Sequence, residues 1–345
     1  MTIVYTTREE VQQAKAYTAM SNQQIDTAIA AASRKVEGLI GRIFYPTVTT
    51  KYFDYPSQNY SRSWRVWFDS DSELISVTSV VSGGTTMTSG QYYLEPINVG
   101  PPYNRIELNL DSNGAFNSSG GHQRQLAITG MWGYNYSTET STAISTAINS
   151  SIASVNVYDS SQVGVGSLIL IGDELMNCTE KTMLDTGQNA SALTASSSSV
   201  TITGITAGTI FQGETILIDS ERMKVVDVSG TTVTVKRAID GSVLAVHALN
   251  ADIYTPRTLT VVRGAQGTTA ASHLIDATVK NVVYPEFIAE LTLAEAINFL
   301  EQRLSGYAKT VGSGDNEREA TGVGLAQLRR AAYEQYAKRA RARRI

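Results

Sequence analysis

Gly166-Ser-Leu-Ile-Leu-Ile-Gly-Asp-Glu174-Leu-Met176 is matched further along the chain by Gly213-Glu-Thr-Ile-Leu-Ile-Asp-Ser-Glu221-Arg-Met223. Each stretch is an apolar run, a polar two-residue break, and a carboxylate that opens the next run. That is the pattern of a strand, a tight turn and a returning strand. A second match follows. Thr232-Val-Thr-Val-Lys-Arg237, continuing through Gly241 to His247, aligns without a gap with Thr258-Leu-Thr-Val-Val-Arg263, continuing through Gly267 to His273. β-branched residues dominate both, as in half-buried strands. The repeats carry the same charged set: Glu174 and Glu221, Arg263 and Arg237, His273 and His247. The pattern predicts that Glu174 faces Arg263 and Glu221 faces Arg237 as structural pairs. The equivalent histidines are expected to be structural too.

The order of the pieces sets the domain organisation. The inner repeat, 198–254, is contiguous, whereas the outer one is split into 154–178 and 257–279. One copy is therefore inserted into the other at a hairpin turn, where flanking strands still pair and the ends lie close. The Ser/Ala-rich run 189–199 is the expected entry, and Pro256 the expected exit, because proline interrupts a strand. An inserted β-domain over 152–279 follows, preceded by a Ser/Thr-rich linker over 137–151.

Outside the insert the period changes. Thr7 with Glu10, and Ser21 with Gln24, form two capping boxes that predict helix starts. Ile25, Ala28, Ile29, Ala32, Val36 and Leu39 fall on one helical face, and Gly41 ends that helix. Short strands are predicted near 51–55, 64–68, 74–81, 92–95, 105–110 and 126–129. Pro285 opens a further helix with Ile288, Leu291 and Leu300 on its apolar face. A loop over 312–322 leads to a last helix from Leu325.

Composition narrows the function. Hydrophobic residues make up 42% of the 345 residues and charged residues 17%, the latter below the roughly 25% of an average soluble domain. No apolar run is long enough for a transmembrane helix, and the N-terminus lacks a signal-peptide pattern. Cys178, the one cysteine, cannot form an internal disulfide, so synthesis in a cytoplasm is expected. Residues 325–345 hold Arg329, Arg330, Lys338, Arg339, Arg341, Arg343 and Arg344 against Glu334, a local charge of +6. With a total of −4, the remainder carries −10. An acidic body with a basic tail predicts a tail that docks on a negative surface.

Groups for chemistry are sparse. His122, His247 and His273 are the only histidines, and no His-x-x-His or Cys-x-x-Cys spacing offers a metal site. Neither a phosphate-binding loop nor a nucleophile elbow is present. Asp69, Asp71 and Glu73 cluster, most simply in a polar turn. No catalytic residue, metal or cofactor is expected, and the chain is expected not to be an enzyme.

The two ends, with the middle removed, resemble the head–tail connector (adaptor) family of tailed double-stranded-DNA bacteriophages. The features that carry the resemblance are ordered along the chain. They are Ser21-x-x-Gln24-Ile25 leading to Ala30-Ala-Ala-Ser33-Arg34-x-Val36-Glu37, the helix end Ile40-Gly-Arg42-Ile-Phe44-Tyr45-Pro46, and the strand Leu74 to Val80. Tyr92-Tyr93-Leu94-x-Pro96, Ile128-Thr-Gly-Met-Trp-Gly-Tyr134, the Pro285 helix and the basic C-terminal helix follow. The resemblance covers residues 3–136 and 280–345, and family members usually lack so large an insert.

The resemblance implies a ring, expected to be of twelve copies, under the portal protein. Such a ring extends the DNA channel and docks the next neck or tail-completion protein. Double-stranded DNA passes through without sequence specificity, and no membrane is involved. The implied location is the virion neck, after synthesis in the host bacterial cytoplasm. The seven basic tail residues are the expected portal-docking set. The fold expected on this basis is α+β. A helical connector body (1–136 with 280–345) with a small β-sheet region carries the all-β insert of two nested repeats. A tail or baseplate protein whose β-repeats bind a host surface glycan is the alternative.

Overall fold

A computed structural model describes residues 3–15, 17, 20–56, 63–68, 72–306, 310–311, 318–319 and 323–337. Both capping boxes form. The Thr7 amide donates to the Glu10 carboxylate at 2.8 Å and the Ser21 amide to Gln24 Oε1 at 2.9 Å. They start α1 (Arg8–Ala14) and α2 (Asn22–Ile40), and Gly41 closes α2 in the left-handed conformation. Eight strands follow: β1 (Thr47–Phe53), β2 (Arg65–Trp67), β3 (Leu74–Ser82), β4 (Thr85–Met87), β5 (Tyr92–Glu95), β6 (Arg105–Leu108), β7 (Leu126–Trp132) and β8 (Ser137–Ala143). Next come β9 (Ser154–Asn156), β10 (Leu168–Ile171), β11 (Glu174–Ala190), β12 (Ser199–Thr203), β13 (Thr215–Ile218), β14 (Glu221–Ser229), β15 (Thr232–Lys236), β16 (Ala251–Val262) and β17 (Thr278–Val283). The chain returns to helix in α3 (Glu286–Leu304) and α4 (Val323–Tyr336).

The expected helical body is overturned. Strands account for 38% of residues and helices for 21%. The N-terminal part holds a four-stranded sheet, β1-β7-β3-β4, and a three-stranded sheet, β2-β6-β5. Phe53, Leu74, Val80, Ile106, Leu126, Ile128 and Trp132 form a core between them. The helices form a packet at one end: Ile25, Ala28 and Ile29 of α2 pack on Ala296 and Leu300 of α3, and Ala332 of α4 joins Val36 and Ile40. The short strands expected over 51–129 are present, with β4 in addition. What the sequence does not carry is that they pair into two sheets, because β1 meets β7 and β2 meets β6 across long stretches of chain.

A ten-stranded antiparallel sheet contains all strands from β8 to β17, in the order β12-β15-β14-β13-β16-β11-β10-β17-β8 with β9 also on β16. The stretch 137–143, expected as linker, is strand β8 and pairs along β17. Thr138, Thr140 and Thr142 set β-branched side chains at alternate positions, which suits a strand better than a tether. Ile144 and Ile148, also within the expected linker, are core residues.

The two units repeat one strand order: β12-β15-β14-β13 in the inner, and β9-β16-β11-β10 in the outer, using the halves of β16 and β11 nearest β9 and β10. Their cores match position for position. Ile169, Ile171, Met176, Leu259 and Val261 stand where the inner unit has Ile216, Ile218, Met223, Val233 and Val235. Cys178 fills the slot of Val225, so it acts as a small buried hydrophobe. Pro256 does not end β16. Thr182 pairs with Thr258 and Leu184 with Thr255, so Pro256 and Arg257 bulge opposite Met183. Across that bulge the neighbour of β16 changes from β13, at Tyr254, to β9, at Thr258.

The insert is seated on the rest of the chain. Ile3 packs with Leu168, Leu175, Ala265 and Val282, and Thr47 Oγ1 meets Gln266 Oε1 at 2.9 Å. Gly267 has φ +78, and a Cβ there would lie 2.0 Å from the Val48 carbonyl oxygen of β1. Gly230, at φ +59, faces open space. Gly267→Ala is expected to lose about 2 kcal/mol or more, and Gly230→Ala about 1 kcal/mol. Urea unfolding of the two variants measures both; equal losses would mean that Gly267 is not a seating point.

Candidate functional site

Each repeat brings its three flagged residues together. A two-residue turn, Gly172-Asp173 or Asp219-Ser220, ends the first strand of the hairpin, and the next residue is the glutamate. The turn points that carboxylate into the arch formed by the following arginine and histidine. Glu174 accepts from Arg263 Nε and Nη2, both at 2.8 Å, from the Gly264 and Ala271 amides, both at 2.9 Å, and contacts His273 Nε2 at 2.9 Å. Glu221 accepts from Arg237 Nε at 3.0 Å and Nη2 at 2.6 Å, from the Ala238 and Ala245 amides at 3.1 and 3.0 Å, and contacts His247 Nε2 at 2.8 Å. The arginines then tie down carbonyls. Arg263 Nη1 donates to Asn149 and Ile152, and Arg237 Nη1 to Thr194. The histidine backbones bridge to Ile148 and Leu193.

Both glutamates are buried, and the Glu221 and Arg237 side chains are fully so. Burial alone would raise a carboxyl pKa. Here the hydrogen bonds from the arginine, the histidine and the amides outweigh it, holding Glu174 and Glu221 at about 2. The inner cluster has one addition: His247 Nδ1 meets Asp219 Oδ2 at 2.7 Å, where the outer repeat has Gly172. A carboxylate with five partners has no lone pair left for a substrate proton. These clusters are braces that clip a loop onto a hairpin, not acid–base pairs.

A third buried pair escaped sequence reading. Glu214 accepts from Arg257 Nε at 2.9 Å and Nη2 at 2.7 Å, and from the Ser160 and Phe211 amides, both at 3.1 Å. It joins the two units at the Pro256 bulge. The one available signal was a charged residue, Glu214, at the position where the matching repeat has Ser167. Arg8 and Glu295 were missed as well. Buried Arg8 links Asp26 of α2, at 2.6 Å, to Glu180 of the insert, at 2.8 Å. Glu295 holds Lys35 of α2 at 2.8 Å and Arg329 Nη2 of α4 at 2.9 Å.

The expected docking tail divides. Arg329 belongs to the Glu295 brace, and exposed Arg330 pairs with Glu334 at 2.8 Å. Lys338, Arg339, Arg341, Arg343 and Arg344 lie outside the described residues, as do Asp69 and Asp71. Glu73 pairs with Arg42 at 3.6 Å, and exposed His122 offers its carbonyl to Tyr55. No cluster of metal-ligating residues occurs among the described residues, nor does any helix long and apolar enough to cross a membrane. No family model, curated protein or solved structure matches the chain.

Glu221→Gln leaves Arg237 buried without its counter-charge and is expected to lose about 3–5 kcal/mol, measured by urea unfolding. The folded glutamates titrate near 2, against 4.5 without structure. Their contribution is therefore complete above about pH 4.5 and lost as pH falls from there toward 2. Stability measured across that interval should fall less steeply in Glu221→Gln than in the wild type; identical slopes would contradict the brace.

Proposed function

We propose that the chain is a non-enzymatic structural subunit of a phage head–tail connector. Copies of it form a ring beneath the portal, continue the DNA channel, and dock the next neck component. The observation that carries this reading is the closure of the two chain ends on one another. Val4, Val11 and α2 share a core with α3, and Tyr5, Val36 and Phe44 share another with α3 and α4. The segments whose ordered motifs resemble the connector family are thus one body, seated against the insert.

Two further observations support it. The ten-stranded sheet ends on β12 and β8, and strands at sheet edges are natural sites for pairing with another copy. A closed ring repeats one heterologous contact around its axis. The charge of −10 outside residues 325–345 repels phosphates, which suits a conduit through which DNA slides. The three buried glutamates of the insert are saturated by arginine and amide donors, which favours a scaffold over a catalyst. Glycan binding is less well supported. Of the insert's aromatics only Tyr158 is strongly exposed, and its hydroxyl is bound to Asp276 at 2.9 Å.

With Arg329 committed to Glu295, the proposed portal contact falls to the residues after 337. Negative-stain microscopy of the protein mixed with its portal should show closed rings stacked on the portal. Removing residues 338–345, which leaves α4 whole, should weaken portal binding by about tenfold or more at low salt while the helical circular dichroism is kept. A protein that remains monomeric and unbound at every salt concentration would refute the proposal.

A further inference from the structure

Between α1 and the insert lies a cleft of about 1200 Å³. Its insert wall carries a cluster of cations, Arg222, Lys224 and Lys236. Lys224 of β14 and Lys236 of β15 are direct cross-strand partners, and both line the cleft with Arg222, two residues before Lys224 on the same strand face. Like charges directly opposite one another in a sheet repel. Yet among the described residues neither lysine forms an ion pair, and Asp240 stands 3.9 Å from Arg222. The Lys224 ammonium donates to the Gly213 carbonyl at 2.6 Å, so two of its three N–H groups remain for a ligand. Lys181 points into the same cleft but is already held by the Ser160 and Val163 carbonyls, at 3.0 and 2.6 Å, with Glu9 3.6 Å away. Burial, and then the charge of Lys181, lowers the proton affinity of Lys224, against the opposing pull of Asp240 and Glu9.

We infer that Arg222, Lys224 and Lys236 form a binding site for an oxyanion, a phosphate or carboxylate group held on the cleft face of β14 and β15. An anion there replaces repulsion between facing ammoniums with charge-assisted hydrogen bonds. The same chemistry has two possible sources: a free oxyanion, or a carboxylate from the acidic surface of a second copy. The site stands on its own residues whether or not the ring reading holds.

The experiment is calorimetric titration of inorganic phosphate into the full chain, alongside sedimentation velocity over a range of protein concentrations. Ionic strength is matched with chloride, and wild type is compared with Lys224→Gln/Lys236→Gln. Lys236→Gln alone, at an exposed position, is the companion variant that leaves the partly buried lysine in place. The double variant should bind phosphate about tenfold more weakly than wild type, and the single variant should fall between them. Loss of self-association in the double variant, with phosphate competing in the wild type, assigns the oxyanion to a second copy. Phosphate binding without self-association assigns it to a free ion. Equal phosphate affinity in wild type and double variant overturns the site. So does absence of phosphate binding together with self-association that the substitutions leave unchanged.

Discussion

The antiparallel pair β11–β16 is the member on which the insert depends. β11 runs from the turn of the outer repeat to the mouth of the inner one, and β16 returns beside it. One half of the pair belongs to each unit. A strand that passes from one unit to the other must change its neighbour on the free edge, and regular pairing offers no place for that. The bulge at Pro256 and Arg257 supplies it. Proline has no amide to leave unpaired there. The extra residue turns Arg257 toward Glu214, which also binds Ser160 of the outer unit. The irregularity and the ion pair are thus one device, a joint that fixes how the inner unit sits on the outer.

The three buried glutamates of the insert, Glu174, Glu214 and Glu221, follow a common rule. Each comes with a bidentate arginine and amide donors, so the cost of taking charges out of water is offset by hydrogen bonds with defined directions. An apolar cluster of similar size would bury as much surface, but its contacts carry no hydrogen-bond direction. The loops held by Glu221 and Glu174, 238–250 and 264–276, contain several residues with positive φ, including Asn250 and Asp276 at equivalent positions. Such loops have little regular backbone pairing of their own and gain definition from the brace.

Charged residues also act as joints in the remainder of the chain. Arg8 spans α1, α2 and the insert, and Glu295 spans α2, α3 and α4. Because Arg329 is one of the Glu295 partners, the beginning of the basic segment serves cohesion inside the molecule. Arginine suits such positions because its planar fork reaches two carboxylates at once.

What the sequence determined by itself was local or repetitive. Thr7, Ser21, Pro285 and Gly41 marked helix ends because capping is settled within four residues. The glutamate–arginine pairings were legible because the chain states them twice; that each histidine joins its glutamate was not. The nesting of one repeat in the other was visible in their order. Only the tertiary structure decided the rest. It made a strand of 137–143, assembled the short strands into two sheets where a helical body with a small β-sheet region was expected, ran β16 through Pro256, and joined Glu214 to Arg257, Arg8 to Glu180 and Lys224 to Lys236. The physical reason is common to all of these. A strand's stability, and the cost or benefit of a charge, are set by neighbours that lie far away in sequence, and a single chain read in order carries no direct record of which neighbours those are.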